Sequence, residues 1–429
     1  MLKNSNNPLS IGLLGLGVVG TGVARSLLKN YDHIESRIGR NILLKHILVN
    51  DLNKERPDFI PSNIITDNPD TILNDPSIDV IIEVIGGTST AYNSVKIALE
   101  NKKHVVTANK ELIAKHGEEL RAISIKQQSH LLYEASTGAG IPIINSLKTQ
   151  LSGNKIESIR GIINGTSNYI LTQMANSNST FDKSLKEAQD LGYAEADPAN
   201  DIEGTDALYK ICILANLAFG CEIKPEQVHK EGITSLEPQD FLIAKELGYS
   251  IKPLAICELS NNTITARVHP ALIPNSQMLS KVDNVYNAIE LEGDLAGKIV
   301  LHGEGAGQNA TTSGIIGDLI EASTQDNHKS AINSNTIQIK SINDLVKKFY
   351  MRLSVTNESG VLAQISTIFG NLGISIASMI QKDNVASNNI AELIITTYES
   401  TESSIQEALI AIKDLTVVIK IHTVLRIED

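Results

Sequence analysis

The first constraint on this chain is written within its first thirty residues. A short apolar run, Ile11–Leu16, leads into Gly15-Leu-Gly17-Val-Val-Gly20, and a helical pattern follows over Thr21–Lys29. This is the layout of a strand, a glycine turn and a helix that cradles a dinucleotide. The first glycine allows the tight turn, the second lets the backbone approach a pyrophosphate, and the third lets helix and strand pack closely. The helix N-terminus then offers free N–H groups and a positive dipole end to the phosphates. A glycine turn with no ligand would use the same letters; the flanking strand and helix are what favour the nucleotide. Gly15, Leu16, Gly17, Val18, Val19 and Gly20 are therefore the expected cofactor-binding residues.

The second strand, Ile42–Val49, should end near the adenosine ribose, and it runs into Asn50-Asp51. An acid there favours NAD by accepting from the ribose 2′-OH. Asp51 lies further along than the usual spacing, and Lys54 and Arg56 follow, which suits a 2′-phosphate or a plain solvated loop equally well. NAD against NADP stays open on these residues.

Strand and helix signals continue to alternate through Val80–Ile85, Ala91–Glu100 and His104–Thr107, as βαβ units with a parallel sheet do. With 429 residues, the chain is too long for one core, so two or three domains are expected. The pattern predicts a Rossmann-type α/β nucleotide-binding domain over 1–135. A mixed α+β domain follows over 136–302, and a Ser/Asn-rich linker lies within 323–348. The tail, 349–429, reads as β (Phe349–Val355), α (Val361–Leu372), β (Ile374–Ile380), β (Ile390–Tyr398), α (Ser403–Lys413), β (Val417–Ile427). That is a ferredoxin-like βαββαβ unit.

Chemistry is densest in Gly192-Tyr-Ala-Glu195-Ala-Asp197-Pro-Ala-Asn-Asp201-Ile-Glu-Gly204-Thr-Asp206-Ala-Leu-Tyr-Lys210, five carboxylates and a lysine within nineteen residues. Asp206 and Lys210 are four apart, so a helix puts them on one face. The apolar run Ile211-Cys-Ile-Leu-Ala after them suggests a helix entering the core. Hydride transfer between an alcohol and a nicotinamide requires a proton to move at the oxygen, and a positioned lysine can move it. A neighbouring carboxylate favours the ammonium form, which suits protonating an aldehyde oxygen during reduction. There is no His/Cys cluster of the kind that holds zinc. By residue type alone, the same run fits a solvated charged loop as well as a site.

Taken together, several segments resemble homoserine dehydrogenase: Gly15–Gly20, Thr107-Ala-Asn-Lys110, Glu134-Ala-Ser-Thr-Gly-Ala-Gly-Ile-Pro142, Asn164-Gly-Thr-Ser-Asn-Tyr169, Gly192 through Lys210, and Gly303-Glu-Gly-Ala-Gly307. They run in the family's order. The resemblance implies NAD(P)-dependent interconversion of L-homoserine and L-aspartate 4-semialdehyde in threonine and methionine biosynthesis. It makes 136–302 the catalytic and dimerisation domain and Lys210 the proton donor with Asp206 beside it, and places substrate at Glu195, Asp201 and Lys110. Thr88, Lys110 and Gly305 join the cofactor site. It also implies a sodium ion on main-chain oxygens of Glu134, Thr137, Ala139 and Ile141; a loop of this kind exposes carbonyls that a hard cation accepts. Gly303–Gly307 would return the chain to the first domain, completing it over 303–322 with a helix from about Thr312.

The tail resembles an ACT domain in Arg352-Leu-Ser-Val-Thr, Gly360-Val-Leu-Ala, Gly373-Ile-Ser-Ile and Ser378-Met-Ile-Gln381. That resemblance implies feedback control by L-threonine. The chain departs from the usual acidic residue and proline before Gly-Val-Leu, having Asn357-Glu-Ser-Gly360 instead. Edge-to-edge pairing of subunits is the structural alternative, and a homodimer or homotetramer is expected. A rival from another class is a non-catalytic sensor of dinucleotide and amino acid, but a sensor has no use for a proton donor at Lys210. Another amino-acid dehydrogenase of the same plan is the nearer alternative. The net charge of −12 argues against nucleic-acid or anionic-membrane partners. Three scattered cysteines, Cys212, Cys221 and Cys257, and a polar N-terminus suit a cytoplasmic protein.

Overall fold

Leu9–Leu14 (β1) is buried at every position, as a strand with parallel neighbours on both sides must be. In this computed structural model, which describes residues 7–324, 337–383 and 389–429, the chain divides into two compact units. One comprises Met1–Ile156, Tyr209–Pro225 and Gly293–Thr336; the other comprises Glu157–Leu208, Glu226–Glu292 and Ile337–Asp429.

In the first unit β1 is followed by α1 (Val18–Lys29), β2 (Ile42–Leu48), β3 (Ile65–Thr66), β4 (Val80–Glu83), α2 (Ser89–Glu100), β5 (His104–Thr107), α3 (Lys110–Gln127) and β6 (Leu131–Leu132). The strands are parallel and lie in the order β3-β2-β1-β4-β5-β6, the doubly wound dinucleotide-binding arrangement. Its switch point falls between β1 and β4, where the glycine turn leaves β1. Several edges differ from the pattern-based reading by a few residues. β1 stops at Leu14 because Gly15 takes φ +104, and α1 begins at Val18, three residues before Thr21. The helix expected from about Thr312 starts at Gln308 and runs to Thr324. Its Ile315, Leu319 and Ala322 are buried in one core with β1 and α1.

The second unit carries β7 (Ile156–Ile162), α4 (Gly165–Ser177), α5 (Thr205–Phe219), β8 (Tyr249–Ser260), β9 (Thr263–Pro274) and β10 (Tyr286–Gly293). Helix α5 runs on past Leu208 into residues of the first unit. The tail follows as β11 (Val346–Thr356), α6 (Val361–Asn371), β12 (Ile376–Asp383), β13 (Ile390–Thr397), α7 (Glu402–Lys413) and β14 (Val418–Ile427). The order β14-β11-β13-β12 is that of a ferredoxin-like βαββαβ unit, and each of its pairings is antiparallel. Of the stretch read as a linker, 325–336 lies outside the described residues. Gln338–Ile339 already pairs with Thr263–Ile264.

One sheet runs unbroken as β10-β7-β8-β9-β14-β11-β13-β12. The junction is the parallel pairing of β9 with β14, Ala271 opposite Arg426 and Leu272 opposite Ile427. Around it charges from the tail meet charges from the body. Arg267, with no exposed surface, donates to Glu428 at 2.7 and 3.1 Å and to Glu258 at 2.9 Å. Arg426 donates to both oxygens of Glu231 at 3.0 and 2.8 Å, and to Glu402. Arg352 joins Asp240 (2.6 Å), Glu237 (2.7 Å) and Glu392 (3.0 Å).

Burial alone would raise the Glu428 carboxyl, but Arg267 and Lys347 hold it down to about 2. A depressed carboxyl contributes stability that is complete above its unfolded value and is lost as pH falls through the folded one. Glu428→Gln should therefore cost about 3–5 kcal/mol at neutral pH, because it leaves Arg267 buried and underpaired. In urea unfolding followed by circular dichroism, the gap from wild type should close as pH drops from the ordinary glutamate range towards about 2.

Candidate active site

The cradle at the end of β1 has the three properties its glycines suggested. Gly15 has φ +104, and a Cβ there would meet Val84 O at 2.8 Å. A Cβ on Gly20 would lie 2.2 Å from Gly15 O, so the helix could not seat against the turn. A Cβ on Gly17 would meet nothing within 4 Å. Gly17 is the N-cap of α1 and no side chain caps the helix, which leaves room and free N–H groups for a phosphate. Leu16 is buried, Val19 half-buried and Val18 is 71% exposed. Gln308 donates to Val18 O (2.6 Å), and Arg56 donates to Leu16 O (3.2 Å) and Asp51 O (3.1 Å). The Asp51 carboxylate accepts from Asn53 N within its own loop. Gly305 is buried just before the helix Gln308–Thr324.

At the C-terminal ends of β4 and β5 lies a network that pattern reading missed. Glu83 is buried and accepts from Thr107 Oγ1 (2.5 Å), Ile85 N (2.8 Å) and Gly86 N (3.3 Å). Burial raises its carboxyl despite these donors. Asn109 caps α3, accepting from Leu112 N, and donates to Gly87 O (2.6 Å). The loop carrying Thr88, N-cap of α2, is thereby tied to the turn that carries Lys110, the half-buried first residue of α3. An acid closing the apolar run Val-Ile-Ile-Glu83 was the available signal.

The proposed cation loop is also in this unit. Glu134, Thr137, Ala139 and Ile141 are all buried, and Ala139 has φ +50. Thr137 Oγ1 is buried without a hydrogen-bond partner among the described residues. The Glu134 carboxylate accepts from Ile144 N (2.8 Å) and Asn145 N (2.6 Å), while Glu134 N donates to Asp318 (2.8 Å). The orphaned hydroxyl is of the kind a hard cation accepts, while Glu134 O and Ile141 O already accept from Thr137 N and Ile143 N. Among the described residues no group of His, Cys, Asp and Glu suits a metal ion.

Asn164, Asp201 and Asp206 lie in the second unit. Asn164 caps α4, its Oδ1 accepting from Ser167 N (2.8 Å) and Ser167 Oγ (2.9 Å). Its Nδ2 donates to Asp201 (2.7 Å) and to Asp206 (2.9 Å). Asp201 is half-buried and Asp206 is 5% exposed. Lys210, one turn further along α5, is 6% exposed. That burial removes the solvated-loop reading for this pair. Glu195 stands apart from them in character: it is exposed, on a loop held by Thr166 Oγ1 donating to Tyr193 O (2.7 Å). Asn164 and Asp201 also line a small recess with Glu231 and His269. Burial and the Arg426 charge push the His269 imidazole down to about 3, so it is neutral there.

Comparison with known proteins gives one family. A family model described as homoserine dehydrogenase matches residues 142–320, and one described as its NAD binding domain matches 15–134. The chain is 40% identical to a homoserine dehydrogenase of Neisseria gonorrhoeae, covering 98% of this chain and 99% of that one. A crystal structure of a homoserine dehydrogenase from Thiobacillus denitrificans superposes with a TM-score of 0.93 at 38% identity, covering 99% of each chain. A hyperthermophilic archaeal homoserine dehydrogenase in complex with NADPH superposes at 0.61 with 26% identity, over 74% of this chain and 98% of that chain.

The glycines separate folding from binding. Gly17→Ala should unfold at the wild-type temperature, since its Cβ enters open space, yet bind dinucleotide at least about tenfold more weakly, because the methyl blocks the phosphate approach. Gly20→Ala should lose stability as well. Differential scanning calorimetry with fluorescence titration of NADPH distinguishes the two.

Proposed function

The chain belongs to the homoserine dehydrogenase family, oxidoreductases with an NAD-binding domain, and from that premise we propose that Lys210, Asp206 and Asp201 carry its reaction on L-aspartate 4-semialdehyde and L-homoserine. The observation that carries this reading is the burial of Asp206 and Lys210 one turn apart on α5. In the reductive direction the aldehyde carbon gains a hydride and its oxygen gains a proton. The dinucleotide, held by Gly15–Gly20 with Thr88, Lys110 and Gly305 around it, supplies the hydride when bound. Lys210 donates the proton to the oxygen as the C–O double bond becomes single, and takes it back in the oxidative direction. Asp206, fixed on the same face of α5, orients the ammonium. Asp201, with Glu195 on the loop before it, binds the amino-acid end of the substrate; Lys110 is assigned to substrate by the family resemblance.

Arg56 favours NADP over NAD. Its guanidinium is held beside the glycine turn by Leu16 O and Asp51 O, and Asp51 spends its carboxylate on its own loop. The NADPH complex of the archaeal relative is consistent with this. A sodium ion on the main-chain oxygens of Glu134, Thr137, Ala139 and Ile141 would stiffen the turn into the helix Ile143–Lys148. The tail acts as an ACT domain that takes L-threonine and feeds back on the enzyme in threonine and methionine biosynthesis. The Arg426–Glu231 pair supports that role, because Glu231 lines the recess that Asn164 and Asp201 line.

Loss of nicotinamide absorbance with L-aspartate 4-semialdehyde tests the core of this. Oxidation of NADPH faster than NADH is expected, with Arg56→Ala narrowing the difference. Lys210→Ala should lower kcat by roughly 10²–10⁴-fold with NADPH affinity unchanged. Turnover near wild type in Lys210→Ala would remove the assignment. L-Threonine that altered neither rate nor melting temperature would remove the regulatory part.

A further inference from the structure

We propose that Asn164 is the positioning residue of the acid cluster, setting Asp201 and Asp206 against one another through a single carboxamide; this rests on the catalytic reading above. A carboxamide nitrogen carries two hydrogens at a fixed angle. Here one goes to Asp201 Oδ1 (2.7 Å) and the other to Asp206 Oδ2 (2.9 Å). Both oxygens therefore lie within hydrogen-bond reach of one nitrogen atom. The two acids come from different elements, Asp201 from the short helix Ala199–Ile202 and Asp206 from the first turn of α5, with the turn at Gly204 between them.

The amide cannot turn over. Its oxygen accepts from Ser167 N and Ser167 Oγ, so the nitrogen must face the acids. The cap that starts α4 and the clamp on the carboxylates are one side chain, 6% exposed. The same turn of α4 also fixes the Glu195 loop through Thr166 and Tyr193. Position 164 thus sets the spacing between the group assigned to the substrate's ammonium and the group assigned to Lys210. Being neutral, it holds two carboxyl groups together without adding a charge of its own. A hydroxyl reaches one acceptor at most, and a cation would consume the negative charge a substrate ammonium needs.

Asn164→Ser separates the two duties. Serine is a good helix N-cap, so α4 keeps its start, but its short hydroxyl cannot bridge both acids. Expected are a melting temperature and an NADPH dissociation constant like wild type. The KM for L-aspartate 4-semialdehyde should rise about tenfold, as when a hydrogen bond to a charged group is lost, and kcat should fall about tenfold to a hundredfold through misplacement. In an Asp201→Asn background the same substitution should raise KM no further, since the two act through one contact. Asn164→Thr, which also keeps a capping oxygen and offers a single donor, should reproduce the kinetic loss and serves if the serine variant does not fold. If kcat and KM stay at wild type in both variants while Lys210→Ala and Asp206→Asn are inactive, the proposal for Asn164 is overturned and the catalytic assignment stands. If Lys210→Ala and Asp206→Asn are themselves active, the catalytic assignment falls, and this proposal with it.

Discussion

The second unit depends on a charge problem solved at the junction of β9 and β14. Three arginines, Arg267, Arg352 and Arg426, are each 4% exposed or less, and a guanidinium so placed needs several acceptors or it unfolds its surroundings. Each draws acceptors from both sides of the junction. Arg267 of β9 takes Glu428 from the end of the tail; Arg352 and Arg426 of the tail take Asp240, Glu237 and Glu231 from the body. Such clusters add little net stability compared with apolar packing, but they punish misplacement heavily, so they fix which strand pairs with which. The βαββαβ tail is in this sense part of the sheet rather than an appendage.

How much of this the residues announce depends on range. The cradle is local: strand, turn and helix follow in sequence, so Gly15, Gly17 and Gly20 can be assigned from spacing alone. The tail is nearly as local, and its six elements lie where periodicity puts them, with ends shifted by a few residues. Edges moved where one residue's backbone overrode pattern, as when positive φ at Gly15 stopped β1 at Leu14. What spacing cannot give is partnership at distance. Arg267 meets Glu428 across 161 residues, and nothing in either neighbourhood marks the other. Glu83 and Asn109 look ordinary until β4 and β5 lie side by side.

The acid cluster falls between these cases. Asp206 and Lys210 share a face by helical spacing, so their partnership was legible, but burial was not, and burial is what separates a site from a solvated run. Glu195 shows the converse. It belongs to the same dense segment and looks equivalent on paper, yet it is exposed while Asp206 is enclosed. Charge density along the chain therefore identified the segment without ranking its members.

Asn164 explains why that ranking needed the fold. Two carboxylates brought near one another repel, and the usual remedies are a cation between them or a shared proton. Either would spend what the proposed reaction requires, since a substrate ammonium assigned to Asp201 needs an ionised acid and a proton donor assigned to Lys210 needs a neighbour that stays charged. A carboxamide avoids both losses: it satisfies each anion with an N–H and contributes no charge. It must then be prevented from flipping, because the flipped form would aim its oxygen at two anions. The helix cap does this, presenting Ser167 N and Oγ to the oxygen. The start of α4 and the spacing of the acids are thus one constraint.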